Sequence, residues 1–67
     1  MNVDIIGSWA GLVWTALSGN EGKLTVKGLK KATKLKEKEV YAAIGWLARE
    51  GKVNVNETET DIDVTLI

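Results

Sequence analysis

The chain predicts an α+β fold: three helices with a small antiparallel sheet, in the order helix, strand, helix, helix, strand, strand. Three observations predict it. Between Leu24 and Asn56 the apolar residues pass from helical to strand-like spacing without a gap. Ile62 to Leu66 alternates again, and Ile5 to Leu17, ahead of both, repeats at helical spacing. A length of 67 residues gives one domain, residues 1–67, near the lower size at which a single core stands alone.

The first helix sets Ile5, Trp9, Leu12 and Ala16 on one side and Ile6, Val13 and Leu17 beside them, which fills a core face. Ala10 and Trp14 carry the apolar arc further round, leaving only Gly7, Ser8, Gly11 and Thr15 as a polar sector. Ile5 to Asn20 carries no charge, yet it is too short and too rich in Gly, Ser and Thr for a membrane span. Asp4 stands where an export signal needs positive charge, so the expected location is cytoplasmic. A helix dry nearly all round needs two partners, and large apolar patches are rare on soluble monomers. The expectation is a homodimer that buries Ile6, Ala10, Trp14 and Leu17, with Trp46, between two chains. Gly7-x-x-x-Gly11 reads as plain helix surface, because that motif alone carries little weight outside a membrane.

Gly19-Asn20-Glu21-Gly22-Lys23 follows a helix and precedes a strand, the reverse of a phosphate-cradling loop, and reads as a helix stop and turn. Leu24-Thr25-Val26 is a short strand, and Thr25 caps a second helix whose inward residues are Val26, Leu29 and Ala32. Leu35 sits in the turn that follows. The third helix starts near Lys36, carries Val40, Ile44 and Leu47 as its buried stripe, and stops where Gly51 supplies a left-handed cap. Two helices joined by a tight turn make a helix-turn-helix. Val53 and Val55 then alternate with Asn54 and Asn56, and Ile62, Val64 and Leu66 with Asp61, Asp63 and Thr65: a hairpin with one dry face. Its connection, Glu57-Thr58-Glu59-Thr60, lacks the Asn-Gly or Asp-Gly pair of a two-residue turn and predicts a longer, looser loop.

With these elements in place, the run Val40-Tyr41-Ala42-Ala43-Ile44-Gly45-Trp46-Leu47-Ala48-Arg49-Glu50-Gly51-Lys52-Val53 resembles the winged helix-turn-helix superfamily. The chain is similar in particular to a small bacterial winged-helix family of unknown function, found as stand-alone chains of about this size. The similarity spans essentially the whole sequence. It implies a helix before the first strand, a three-stranded wing sheet and a tendency to form homodimers, and it implies no known activity. Two positions depart from the commoner pattern: Lys34 where the turn usually carries Gly, and Lys36 where the cap is usually Ser, Thr or Asp.

Nine basic and nine acidic residues give zero net charge, but they are not mixed. Lys23, Lys27, Lys30, Lys31, Lys34, Lys36 and Lys38 crowd one window in which Glu37 is the single acid, whereas Glu50, Glu57, Glu59, Asp61 and Asp63 oppose Lys52 alone. Lys27, Lys30, Lys31 and Lys34 lie on or near the second helix, and Lys36 and Lys38 begin the third, where free amides and the helix dipole also favour anions. A lysine at position 36 works against that dipole at a cost of about 1 kcal/mol, which stability alone does not select.

If the third helix entered a major groove, its outer side would present Lys38, Tyr41, Ala42, Gly45, Trp46 and Arg49. Arg49 suits a guanine and Lys38 a phosphate, but the helix has no Asn or Gln for adenine. Trp46 reads better as a core or interface anchor than as a base-stacking platform. Glu57 and Glu59 at the wing would meet phosphate with like charge.

There is no His and no Cys, which excludes a thiolate metal site, and the acids lie mostly in the hairpin or beside lysines, so no enzyme constellation is visible and neither an enzyme nor a cofactor is expected. Asp61 and Asp63 share a strand face but have no third metal ligand in reach of the pattern. Two readings follow. One is a homodimeric nucleic-acid-binding module, transcription-regulator-like and weak in sequence specificity, that uses Lys27, Lys30, Lys31, Lys34, Lys36, Lys38 and Arg49. The other is a protein-interaction module on the same fold, its lysines facing the acidic hairpin of a mate or of another protein.

Overall fold

The computed structural model describes all 67 residues. Helix α1 (Val3–Ser18) is followed by strand β1 (Lys23–Thr25), helices α2 (Val26–Thr33) and α3 (Glu37–Arg49), and strands β2 (Val53–Glu57) and β3 (Ile62–Leu66). The sheet is antiparallel in the order β1-β3-β2. The fold is a winged helix, as the sequence predicts. No helix is long and apolar enough to cross a membrane.

Side-chain acceptors start two of the helices, because the first amides of a helix have no partner within it. Asn2 Oδ1 accepts from the Ile5 amide at 2.8 Å, and Thr25 Oγ1 from the Gly28 amide at 3.0 Å. A Cβ on Gly28 would stand 3.0 Å from Leu24 Cδ2, so glycine here lets α2 close onto β1. Helix α3 starts with half of a capping box: Glu39 Oε1 accepts from the Lys36 amide at 2.8 Å, and Lys36, which has no acceptor, returns nothing. At its far end Gly51 adopts φ +71°. The Gly51 amide then donates to Ala48 O (3.0 Å) and the Lys52 amide to Leu47 O (2.9 Å), the paired bonds of a Schellman stop.

The core joins the three helices and the hairpin: Val13 and Leu17 of α1, Leu29 of α2, Val40, Ala43 and Leu47 of α3, and Val53 and Val64 of the hairpin are all buried, and the half-buried Leu24 of β1 packs against them. The α3 stripe lies where its period puts it. Three other expectations need correction. Ala32 is exposed, and α2 turns Thr33 inward in its place. Thr33 Oγ1 donates to Leu29 O at 2.6 Å and accepts from the Leu35 amide at 3.2 Å, so the hydroxyl ties the end of the helix to the turn. On α1 the buried line is Ala10, Val13 and Leu17, with Ile6, Trp9 and Ala16 half-buried, while Ile5 and Leu12 face out. With no charge from Ile5 to Asn20, only the small residues Ser8, Gly11 and Thr15 mark the outward side, which leaves the edges of the arc at Ile5 and Leu12 undetermined.

The hairpin connection is the third correction. Glu57 belongs to β2 and pairs with Ile62, so the loop is Thr58 to Asp61. It is tight: the Thr58 amide and hydroxyl both donate to Asp61 O at 2.8 Å, and Thr58 Oγ1 accepts from the Asp61 amide at 3.0 Å. The dry face of the hairpin holds at Val53 and Val64, but Val55, further along β2, is 46% exposed.

Candidate nucleic-acid interface

The turn between α2 and α3 gathers the lysines. Lys34 takes the left-handed conformation that glycine usually supplies, at φ 64°, and its amide donates to Lys30 O at 3.0 Å. That reversal places Lys31 and Lys34, at the end of α2, beside Lys36 and Lys38, at the start of α3. All four are exposed and none is in an ion pair. Of the nearby acids, Glu37 pairs with Lys30 at 3.5 Å and Glu39 accepts from the Lys36 amide, in ion-pair contact with none of the four. The turn therefore carries four free cations next to the N-terminal end of α3.

Lys27 and Lys30 face differently. They line one wall of a groove of about 490 Å³ whose other wall is Glu57, Thr58, Glu59, Thr60 and Asp61 of the hairpin, with Tyr41 and Glu37 at the α3 side. Asp61 Oδ2 accepts from the Lys27 amide at 3.3 Å across 34 residues of sequence. The carboxyl of Asp61 is held below its usual value, first by the Ile62 amide, which outweighs an opposing effect of desolvation, and then by the amide of Lys27, the Thr25 hydroxyl and the Lys27 charge. This contact between hairpin and α2 was not expected from the sequence. Two signals for it were there: α2 has no acid in its own first turn, and Thr58 precedes Asp61 at loop-stapling distance.

Lys38, Tyr41, Gly45 and Arg49 form the exposed side of α3, while Ala42 is half-buried. Trp46 leaves that side. Its ring packs across α1, with Cζ2 3.6 Å from where a Cβ on Gly7 would stand. Gly7 is thus not plain helix surface; it receives a tryptophan of its own chain, and Gly11 remains open. Of the residues expected between two chains, Ala10 (3% exposed) and Leu17 (0%) lie in the chain's own core and have no surface to offer a mate. Their line is the one that faces α3. Ile6 and Trp46 are half-buried, and Trp14 is 44% exposed on the rim of a groove of about 320 Å³ lined by Gly7, Gly11 and Trp46 among others.

Solved structures share this architecture. The solution structure of BT2368 from Bacteroides thetaiotaomicron superposes with a TM-score of 0.83 at 32% identity, over 98% of this chain and 79% of that one. BpsR of Bordetella bronchiseptica, whose DNA binding is regulated by 6-hydroxynicotinic acid, matches at TM-score 0.80 and 20% identity, over 100% of this chain and 52% of its own. The HOP2 structure, described for DNA recognition, protein interaction and homologous DNA pairing, matches at TM-score 0.74 and 17% identity, over 88% and 98%. At those identities the last two show the fold alone. No curated protein matches. The three-helix, three-strand order, the helix-turn-helix closed by Lys34 and the hairpin wing agree with a family match over residues 1–66, and the chain belongs to the winged helix-turn-helix domain family DUF2582.

Proposed function

We propose that the domain binds nucleic acid through its phosphates, with little sequence preference, and that it does so as a homodimer. The observation that carries this reading is the set of free lysines, Lys31, Lys34, Lys36 and Lys38, around the α2–α3 turn. Clustered cations of this kind release counterions when phosphate replaces them. Arg49 is the side chain on the exposed side of α3 best suited to a base edge, with its planar fork of donors, while Gly45 and the half-buried Ala42 offer none beyond backbone. Weak specificity follows from that bareness. DNA binding by BpsR and DNA recognition by HOP2 support the reading by analogy of fold. Trp14 and the open Gly11 on α1 support dimer formation, since an exposed tryptophan beside a bare helix face is a natural interface anchor.

Lys36→Glu combined with Lys38→Glu tests it. Both substitutions place acid at the start of α3, where the dipole favours it, so the fold is preserved while phosphate contact is lost. Fluorescence anisotropy with short duplexes and single strands at low salt should show binding by the parent protein and none by the variant. No binding by the parent protein sinks the proposal. A second reading, a protein-interaction module, draws on the wing, whose Glu57 and Glu59 carry the wrong sign for groove insertion. Under it the same double change weakens a protein contact and there is no nucleic-acid signal to lose.

A further inference from the structure

A wing with acidic residues at its tip is a liability in a phosphate-binding domain unless its position is useful. Here its position is fixed twice. Within the loop, the Thr58 bonds to Asp61 hold the tip in one shape. Between elements, Asp61 Oδ2 reaches the Lys27 amide in the first turn of α2. The result is that Glu57, Glu59 and Asp61 form one wall of a groove whose opposite wall is Lys27 and Lys30. Lys30 also pairs with Glu37 at 3.5 Å, with both side chains exposed. Lys30 is therefore paired with an acid of its own chain and Lys27, exposed and in no ion pair, lines the same groove as the hairpin acids, while Lys31, Lys34, Lys36 and Lys38 lie outside that groove.

We propose that the wing is an autoinhibitory arm: latched to α2 through Asp61, it screens Lys27 and Lys30 from phosphate and limits the domain to the four lysines of the α2–α3 turn. This inference rests on the nucleic-acid reading for its biological sense but not for its test. The mechanism is electrostatic. Carboxylates facing two ammonium groups across the groove weaken their field at the range where a phosphate would feel it. Release of the arm adds about two phosphate contacts without any new basic residue.

The test uses the full chain and a triple variant, Glu57→Gln, Glu59→Gln and Asp61→Asn, isosteric at each site. Asp4→Asn with Glu21→Gln and Glu50→Gln is the control; it removes the same charge at residues that do not line the groove. Inorganic triphosphate is titrated into each while backbone amide shifts are followed by NMR, and a duplex of about 15 base pairs is titrated in parallel over a range of salt. In the parent protein and the control the triphosphate response should stay within Lys31 to Lys38, and in the triple variant it should extend to Lys27 and Lys30. Duplex affinity of the triple variant should rise about tenfold at low salt, with a salt slope steeper by about 1.8. A triple variant whose triphosphate response does not reach Lys27 and Lys30 overturns the inference, whatever the duplex does. If triphosphate reaches them but no protein binds duplex, the screening stands and the nucleic-acid reading falls.

Discussion

Leu47 sits 3% exposed where α3 meets α1 and the base of the hairpin, so truncating it leaves a cavity that a chain of this size cannot collapse around. Leu47→Ala should cost roughly 2–5 kcal/mol, much of the stability of so small a domain, and urea titration should find a large unfolded fraction before denaturant is added. A loss under about 1 kcal/mol would place Leu47 outside the core. Lys34 is the opposite case, a residue whose backbone is at odds with its side chain. Its φ of 64° is the region where a Cβ crowds the following carbonyl. Lys34→Gly should stabilise the domain by roughly 0.5–1 kcal/mol, less than the full relief because glycine also frees the unfolded chain. If the variant is instead less stable, the turn does not hold Lys34 in strain. That the native chain carries Lys here is consistent with a charge placed for binding rather than for the turn.

At the scale of elements, the helix-turn-helix was legible because each of its signals is local: Thr25 as a cap, the Val40–Ile44–Leu47 stripe, Gly51 as a stop. Other features depend on information that periodicity does not hold. In an eight-residue helix either Ala32 or Thr33 lies about one turn beyond Leu29, and the choice of Thr33 came from a hydroxyl that satisfies a backbone carbonyl, not from hydrophobicity. The edges of the buried arc of α1 were hidden by its lack of charge. The latch from Asp61 to α2 spans 34 residues, and no spacing rule reaches across two elements and a turn. Of the candidate interface, the lysine cluster was legible as a count, but its division into free and screened members was not. The latch also has a pH signature. Asp61 is ionised in the fold more readily than its usual value of 3.8, so its contribution is complete above that value and is lost as pH falls through the lowered one. Acid unfolding followed by NMR should show the hairpin loop and the first turn of α2 losing their native shifts together, with the Ile62 amide first, then the Lys27 amide, the Thr25 hydroxyl and the Lys27 charge, holding the midpoint down. Asp61→Asn should remove that step. An unchanged acid profile in the variant would assign the step to another carboxylate.

For the whole molecule, zero net charge conceals a division between a basic turn and an acidic hairpin, and this division decides how the domain meets its surroundings. Apolar surface is divided as well. Val3, Leu12 and Trp14 of α1 remain exposed although Ala10, Val13 and Leu17 are spent on the chain's own core. We expect two chains to meet around Trp14 and the open Gly11, at about 25 cal/mol for each Å² withdrawn from water. Trp14→Glu should give a monomer with an unaltered fold, as sedimentation velocity can show. A parent protein already monomeric at high micromolar concentration contradicts the dimer. The fold class and the element order were accessible from the apolar pattern, and the family from the resemblance carried by the run Val40 to Val53, whereas which apolar residues of α1 face inward depended on packing that only three dimensions supply.

The central claim is that the four free lysines of the α2–α3 turn make a phosphate-binding surface, and salt dependence tests it most directly. Binding of mixed-sequence DNA and RNA should weaken steeply as salt is raised from about 50 to 200 mM, with a log–log slope near −0.9 for each duplex phosphate contacted. For three to four contacts the expected slope is roughly −3 to −4, nearly the same for unrelated sequences, and Lys36→Glu with Lys38→Glu should abolish binding at every salt concentration. Absence of binding at the lowest salt, or binding by the parent protein that the double variant retains with the same slope, would contradict the claim.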